Sequence, residues 1–165
     1  MRGYDLAAWE PFFSAMIAAA AALTGLLFVA VSINLDRIVK GGKFLPARAA
    51  ETVAMLLLVV AISALTLVPQ GIRLVGLEIL IIVVPMLVVT VRNQLAQRRR
   101  NPHDPLLWTI SRMASTGVAA IPCTIAGLSL AVGWGGGLYW LAATALLGIV
   151  GAVYNAWVLL VEIVR

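Results

Sequence analysis

The strongest constraint on the fold is the length of the apolar runs. Five runs, at residues 12–35, 46–69, 72–92, 105–132 and 138–163, are each long enough to cross a hydrocarbon core of about 30 Å as an α-helix. The hydrophobic fraction of 62% and the mean hydropathy of +1.03 agree with burial in lipid. We therefore predict an all-α fold: a polytopic membrane helix bundle with five transmembrane helices, forming a single domain over residues 1–165.

The first run has the character of a retained helix rather than of a cleaved secretion signal. Asp5 and Glu10 precede it, whereas a signal peptide begins with basic residues. The apolar region of a signal peptide has at most about 15 residues, and this run is longer. We expect it to remain as the first span.

The basic residues predict the orientation. They concentrate in and beside the links after the first and third runs, at Arg37, Lys40, Lys43, Arg48, Arg92, Arg98, Arg99, Arg100 and Arg112. In and beside the other two links the only basic residue is Arg73. Because cytoplasmic links carry the excess of Lys and Arg, the amino end is expected outside and the carboxyl end inside. The same placement indicates membrane lipids rather than nucleic acid as the partner of a chain whose net charge is +5.

The cluster Arg98, Arg99 and Arg100 is a candidate for contact with lipid headgroups. The alternative is that these arginines act only as a topology signal.

Reactive side chains are otherwise scarce. One His and one Cys are too few for paired-histidine haem, an iron–sulfur cluster or a closed zinc site. We predict a protein that is not an enzyme, with no catalytic residue, metal or cofactor.

Glu78 is the candidate ion or proton site, together with Ile81 and Pro85. These residues share one face of the third run, where Pro85 removes the helical donor to the carbonyl of Ile81. An acid within a membrane span is costly and is often functional. The alternative is that Glu78 pairs with Arg73 or a hydroxyl and fixes packing.

Two stripes of small and polar residues are candidates for helix association or for lining a pore. The first run carries Ser14, Ala18, Ala21, Gly25, Phe28 and Ser32 at steps of three and four, and the fifth carries Gly148, Ala152 and Asn155. Small residues let helix backbones approach closely, and an Asn can hydrogen-bond across the contact.

The first third of the chain also resembles a family of small, largely uncharacterised bacterial integral membrane proteins. The resemblance rests on Trp9, Phe13, the string AALTGLLFVAVSINL at residues 21–35, and LPARAAET at residues 45–52. It implies a multi-pass protein of the bacterial plasma membrane and transfers no functional residue.

These features favour a non-enzymatic membrane protein that acts through helix–helix association, as a homo-oligomer or as an accessory subunit of a membrane complex. A small oligomeric ion channel is the alternative, because Glu78 and Asn155 lie within spans. A compact secondary transporter is the third possibility, although an odd number of spans does not divide into two inverted repeats.

Overall fold

The computed structural model describes residues 2–40, 44–100 and 106–164. Within these ranges the secondary structure is all-helical. A short 3-10 turn, Arg2–Tyr4, precedes six α-helices: α1 (Leu6–Ile33), α2 (Leu35–Lys40), α3 (Phe44–Leu67), α4 (Ile72–Arg100), α5 (Leu106–Val132) and α6 (Gly137–Val164).

Four stretches of these helices are long and apolar enough to cross a membrane. In the described part of the chain they are Leu6–Ile33, Ala49–Leu67, Ile72–Arg92 and Gly137–Val161. They correspond to four of the predicted spans. The remaining predicted span, residues 105–132, is a helix over Leu106–Val132, and in the part whose side chains are described it has the apolar stretch Gly117–Val132.

The first span begins earlier and ends slightly earlier than the predicted range of 12–35. Helix α1 already starts at Leu6 and contains Pro11, whose missing N–H deprives the exposed Ala7 of one helical donor. At the other end, a turn at Asn34 separates α1 from α2. The Asn34 Nδ2 atom donates to the carbonyl oxygen of Ala30 at 2.9 Å, so the side chain serves the end of α1.

The chain divides into two compact units. The first takes Met1–Trp9 and Val68–Thr144, and the second takes Glu10–Leu67 and Ala145–Arg165. The division falls within α1 and within α6.

In the first unit, α4 and α5 meet at a pair of glycines. A Cβ atom on Gly76 would lie 2.6 Å from the backbone nitrogen of Ala131 and 2.8 Å from the carbonyl oxygen of Gly127. A Cβ atom on Gly127 would lie 2.8 Å from the Cγ atom of Leu80. Glycine at both positions therefore allows backbone-to-backbone approach. Since Gly76 is near the start of α4 and Gly127 near the end of α5, the two helices are antiparallel.

The second unit has a core built from α1, α2, α3 and α6. Its buried members are Ala20, Leu27, Ile38, Ala49, Leu56, Val59, Ala145, Ala152 and Leu159. Four of these nine are alanines, so the helices pack closely through small side chains.

We expect the substitution Gly76→Ala to destabilise the first unit by about 1–3 kcal/mol, because the added methyl group meets backbone atoms that cannot rotate away. The higher helix propensity of alanine offsets this by at most about 1 kcal/mol. The free energy of unfolding, measured by SDS titration in mild detergent, checks this. Gly117→Ala is the matched control, since its Cβ atom would lie 3.5 Å from Ile121 Cδ1. Equal stability of the two variants would contradict the prediction.

Candidate helix-association surface

The predicted stripe on α6 is buried within the second unit. Ala152 and Asn155 are 2% and 7% exposed. A Cβ atom on Gly148 would lie 2.6 Å from Val59 Cγ2, so α6 packs against α3 at this point. The Asn155 Nδ2 atom donates a weak hydrogen bond to the sulfur of Met55 at 3.7 Å. The polar atom of this stripe is therefore directed at α3.

Helix α1 uses one face for the core of the second unit. Phe13, Ala20 and Leu27 are buried at intervals of seven residues. Met16, Leu23 and Val31 are partly buried and pack against the same core. The combined spacing of three and four residues is that of a coiled-coil seam, and it leaves the opposite face of α1 free of the core.

The opposite face carries the stripe predicted on the first run. Ser14, Ala18, Ala21, Gly25, Phe28 and Ser32, called the α1 stripe below, are all exposed. A Cβ atom built on Gly25 would find nothing within 4 Å. The stripe on α6 is thus covered by α3, whereas the α1 stripe is exposed along its length.

Glu78 lies next to the turn that precedes α4. The Gln70 Nε2 atom donates to the Glu78 Oε2 atom at 2.6 Å. The carboxylate therefore pairs with an amide that the sequence did not single out, while Arg73 is exposed. Ile81, at 71% exposure, and Pro85 both lie on an exposed face of α4. The ion or proton site at these residues stays a prediction.

The arginine cluster lies at the carboxyl end of α4. The backbone of Arg98, Arg99 and Arg100 is helical, and their side chains lie outside the described residues. The contact with lipid headgroups stays a prediction.

Backbone and side-chain hydrogen bonds both hold the turn between α5 and α6. Gly133, Gly135 and Gly136 have φ angles of +81°, +96° and +89°, which favour glycine. The amides of Gly133 and Trp134 both donate to the carbonyl oxygen of Ser129, at 2.8 and 3.1 Å. This pattern closes the last turn of α5 in the manner of a Schellman motif.

Two hydroxyl groups complete this turn. The Ser129 hydroxyl donates to the carbonyl oxygen of Trp134 and accepts from the amide of Gly137 at 2.9 Å. Because the Ser129 proton is already used, the Tyr4 hydroxyl donates to Ser129 Oγ across 3.1 Å, and it accepts from the amide of Gly136 at 2.9 Å. Desolvation raises the pKa of Tyr4, but the hydrogen bonds around its hydroxyl, among them the one donated by the amide of Gly136, bring the pKa below its ordinary value.

Aromatic rings surround the same turn. The rings of Trp9 and Tyr139 pack edge to face with centroids 4.9 Å apart, and the Trp140 indole donates to the carbonyl oxygen of Gly135 at 3.1 Å. The amino-terminal residues of the chain are therefore fastened to the turn by both hydrogen bonds and ring contact.

Comparison with protein-family models, with curated proteins and with solved structures finds no match to this chain. A function therefore has to be inferred from the residues and contacts of the chain itself.

We expect Ser129→Ala to destabilise the protein by about 1–3 kcal/mol, because it leaves the buried amide of Gly137 and the Tyr4 hydroxyl without this partner. Unfolding in mild detergent measures the change. Thr90→Ala is the control, since the Thr90 hydroxyl donates only to the carbonyl of Met86 within its own helix, at 2.8 Å, in an exposed position. A Ser129→Ala protein as stable as the Thr90→Ala protein would show that the turn does not depend on the hydroxyl.

Proposed function

We propose that this chain is a non-enzymatic integral membrane protein that acts through helix association, with a second copy of itself bound along the α1 stripe. An accessory role, in which another membrane subunit binds the same stripe, is the second form of this proposal. The bacterial plasma membrane as its location follows from the resemblance of residues 9–52.

The open state of the α1 stripe is the observation that supports this proposal. Elsewhere in the described chain, Gly76, Gly127 and Gly148 are covered by a neighbouring helix of the same unit. Gly25, by contrast, lies in a long, apolar helix and has open space around it. Close-packed small residues drive association in lipid, where apolar contact with water supplies no driving force. A helix from a second copy, placed on this stripe, would cover the small residues that the other described helices leave exposed.

The exposed faces elsewhere differ from the stripe in shape. They carry large aliphatic side chains, such as Ile81 on α4 and Val150 on α6, at 71% and 65% exposure. Such side chains are as apolar as lipid tails and hold helix backbones apart, so they favour contact with lipid. The proposal therefore assigns association to α1 rather than to α4 or α6.

We expect cysteines at Ala18 or Gly25, placed in a Cys123→Ser background, to form disulfide-linked dimers on oxidation in native membranes. A disulfide requires Cα atoms within about 7 Å, which only a close helix contact supplies. Cysteines at Ile81 and Val150 are the controls and should remain uncrosslinked. Introducing Gly25→Leu should reduce the crosslink at Ala18 at least tenfold. A single monomeric species in native mass measurement, with no crosslink at either stripe position, would contradict the proposal.

The proposal includes five crossings, with α5 as the fourth, the amino end outside and the carboxyl end inside. It is supported by the apolar stretch Gly117–Val132 and by the distribution of basic residues between the links. In this arrangement the turn at Gly133–Gly137 faces outward and Arg98, Arg99 and Arg100 contact headgroups of the inner leaflet.

We expect a membrane-impermeant maleimide added to intact cells to label Trp134→Cys, in the Cys123→Ser background, and not Arg99→Cys. The Trp134 side chain is 82% exposed, so a cysteine there is accessible. Arg99→Cys should react only after the membrane is opened. Labelling of residue 99 from the outside would contradict the orientation.

A further inference from the structure

Large aromatic side chains gather around the turn between α5 and α6. Trp134, Tyr139 and Trp140 are 82%, 55% and 40% exposed. Trp9, from the amino-terminal part of the first unit, joins them through its edge-to-face contact with Tyr139. All four residues belong to the first unit, and together they are called the aromatic patch below.

The aromatic patch lies where apolar helices end. The apolar stretch of α5 ends at Val132 and that of α6 begins at Gly137, so the turn joins the ends of two such stretches. The contact of Gly76 with Gly127 brings the first turns of α4 to the same end, where its own apolar stretch begins at Ile72. In a chain that crosses a membrane, this end of the first unit lies at the boundary between hydrocarbon and water.

The chemistry of the patch suits that boundary. Indole and phenol groups combine an apolar body with a polar N–H or O–H, and Trp and Tyr are enriched at the headgroup level of membranes. The turn and the first turns of α6, residues 133–144, carry no charged side chain. A strongly charged protein surface would find no opposite charge in this segment, whereas the glycerol and ester region of a lipid leaflet requires none.

The turn holds its backbone in place and leaves the ring of Trp134 exposed. The carbonyl oxygen of Trp134 accepts from the Ser129 hydroxyl, while the side chain of Trp134 has the highest exposure in the patch. The Trp140 indole donates to the carbonyl oxygen of Gly135 at 3.1 Å, which fixes this second ring beside the turn. A hydrogen-bonded backbone with exposed rings is the arrangement that an anchor in a lipid surface requires.

From these features we infer that the aromatic patch is an interfacial anchor, whose exposed rings, Trp134 above all, insert at the headgroup level of the lipid leaflet beside the turn. The inference rests on the proposed location in a membrane and holds for either orientation of the chain. Interfacial Trp and Tyr anchors help to set the tilt of membrane helices. In this chain the anchor sets the depth of the end of α5 and of the start of α6.

The size of the exposed side chains favours lipid over a second copy of the chain as the partner of this patch. Helices that associate in lipid do so through small residues, which let their backbones approach. The α1 stripe has such residues, whereas the patch consists of Trp and Tyr side chains. The two surfaces are therefore suited to different partners.

Brominated lipids measure the depth of Trp134, because bromine quenches the fluorescence of a nearby tryptophan. The full-length chain with Trp9, Trp108, Trp140 and Trp157 changed to Phe keeps Trp134 as its single tryptophan. It is reconstituted in phosphatidylcholine vesicles whose bromines lie either near the ester end or near the methyl end of the acyl chains. We expect the bromines near the ester end to quench Trp134 about threefold more strongly, as for a ring at the headgroup level.

A tryptophan placed within α5 is the matched control. Ile121, at 60% exposure, lies about 16 Å along α5 from Val132, near the middle of a hydrocarbon core of about 30 Å. In a chain with Ile121→Trp and all native tryptophans changed to Phe, the bromines near the methyl end should quench more strongly. A chain that keeps Trp140 alone retains the hydrogen bond to Gly135 and should show the same order as Trp134.

The other outcomes for Trp134 overturn the inference. Quenching by aqueous iodide, with little effect of either brominated lipid, would place the ring in water. Protection from both iodide and bromine would place it against protein, and equal or stronger quenching by the bromines near the methyl end would place it in hydrocarbon.

A failure of the proposed location gives a different result. The Ile121→Trp chain would then escape bromine as well, and the inference would fall together with the location. If Ile121→Trp is quenched and Trp134 is not, the anchor alone fails. The crosslinks at Ala18 and Gly25 test the proposed association separately, because these residues belong to the second unit.

Discussion

The closeness with which helix backbones approach each other is the constraint on which the rest of this structure depends. Helices this apolar gain little from hiding Leu and Ile side chains from a lipid solvent, so contact between them must come from van der Waals packing and a few hydrogen bonds. The contact of Gly76 with Gly127 shows the limiting case, in which backbone meets backbone. The alanines in the core of the second unit provide a looser version of the same packing.

Hydropathy predicted the helical elements well because length and composition carry that information. Four of the five predicted spans coincide with helices that are long and apolar enough to cross a membrane, and the residues near Pro69 and Gly135 lie in turns between helices. The ends of α1 were predicted less well. Helix α1 begins at Leu6, before the predicted start at residue 12, because a proline early in a helix costs only one donor. The apolar run continues through Leu35, so the break at Asn34 left no trace in the hydropathy.

The sequence predicted which residues form the two stripes, but not which stripe is covered by another helix and which is exposed. Both stripes have small residues at steps of three and four, yet α3 covers the one on α6 while the one on α1 stays open. Periodicity identifies a face and does not identify its neighbour. The contact of Ser129 with Tyr4 joins residues 125 positions apart, and no local pattern announces it. Gln70 and Glu78 are only eight residues apart, but a predicted turn does not specify which side chain of the turn reaches the carboxylate.

The fastening of Tyr4 to the turn before α6 has a consequence for the order in which this protein is completed during synthesis. The hydroxyl and amide groups that hold Tyr4 belong to residues 129 and 136, so they do not exist until most of the chain has left the ribosome. The segment around Tyr4 therefore stays unattached while the helices between are synthesised. It can dock only once residues 129–136 are available, and a chain truncated before residue 129 would leave this segment exposed to proteases.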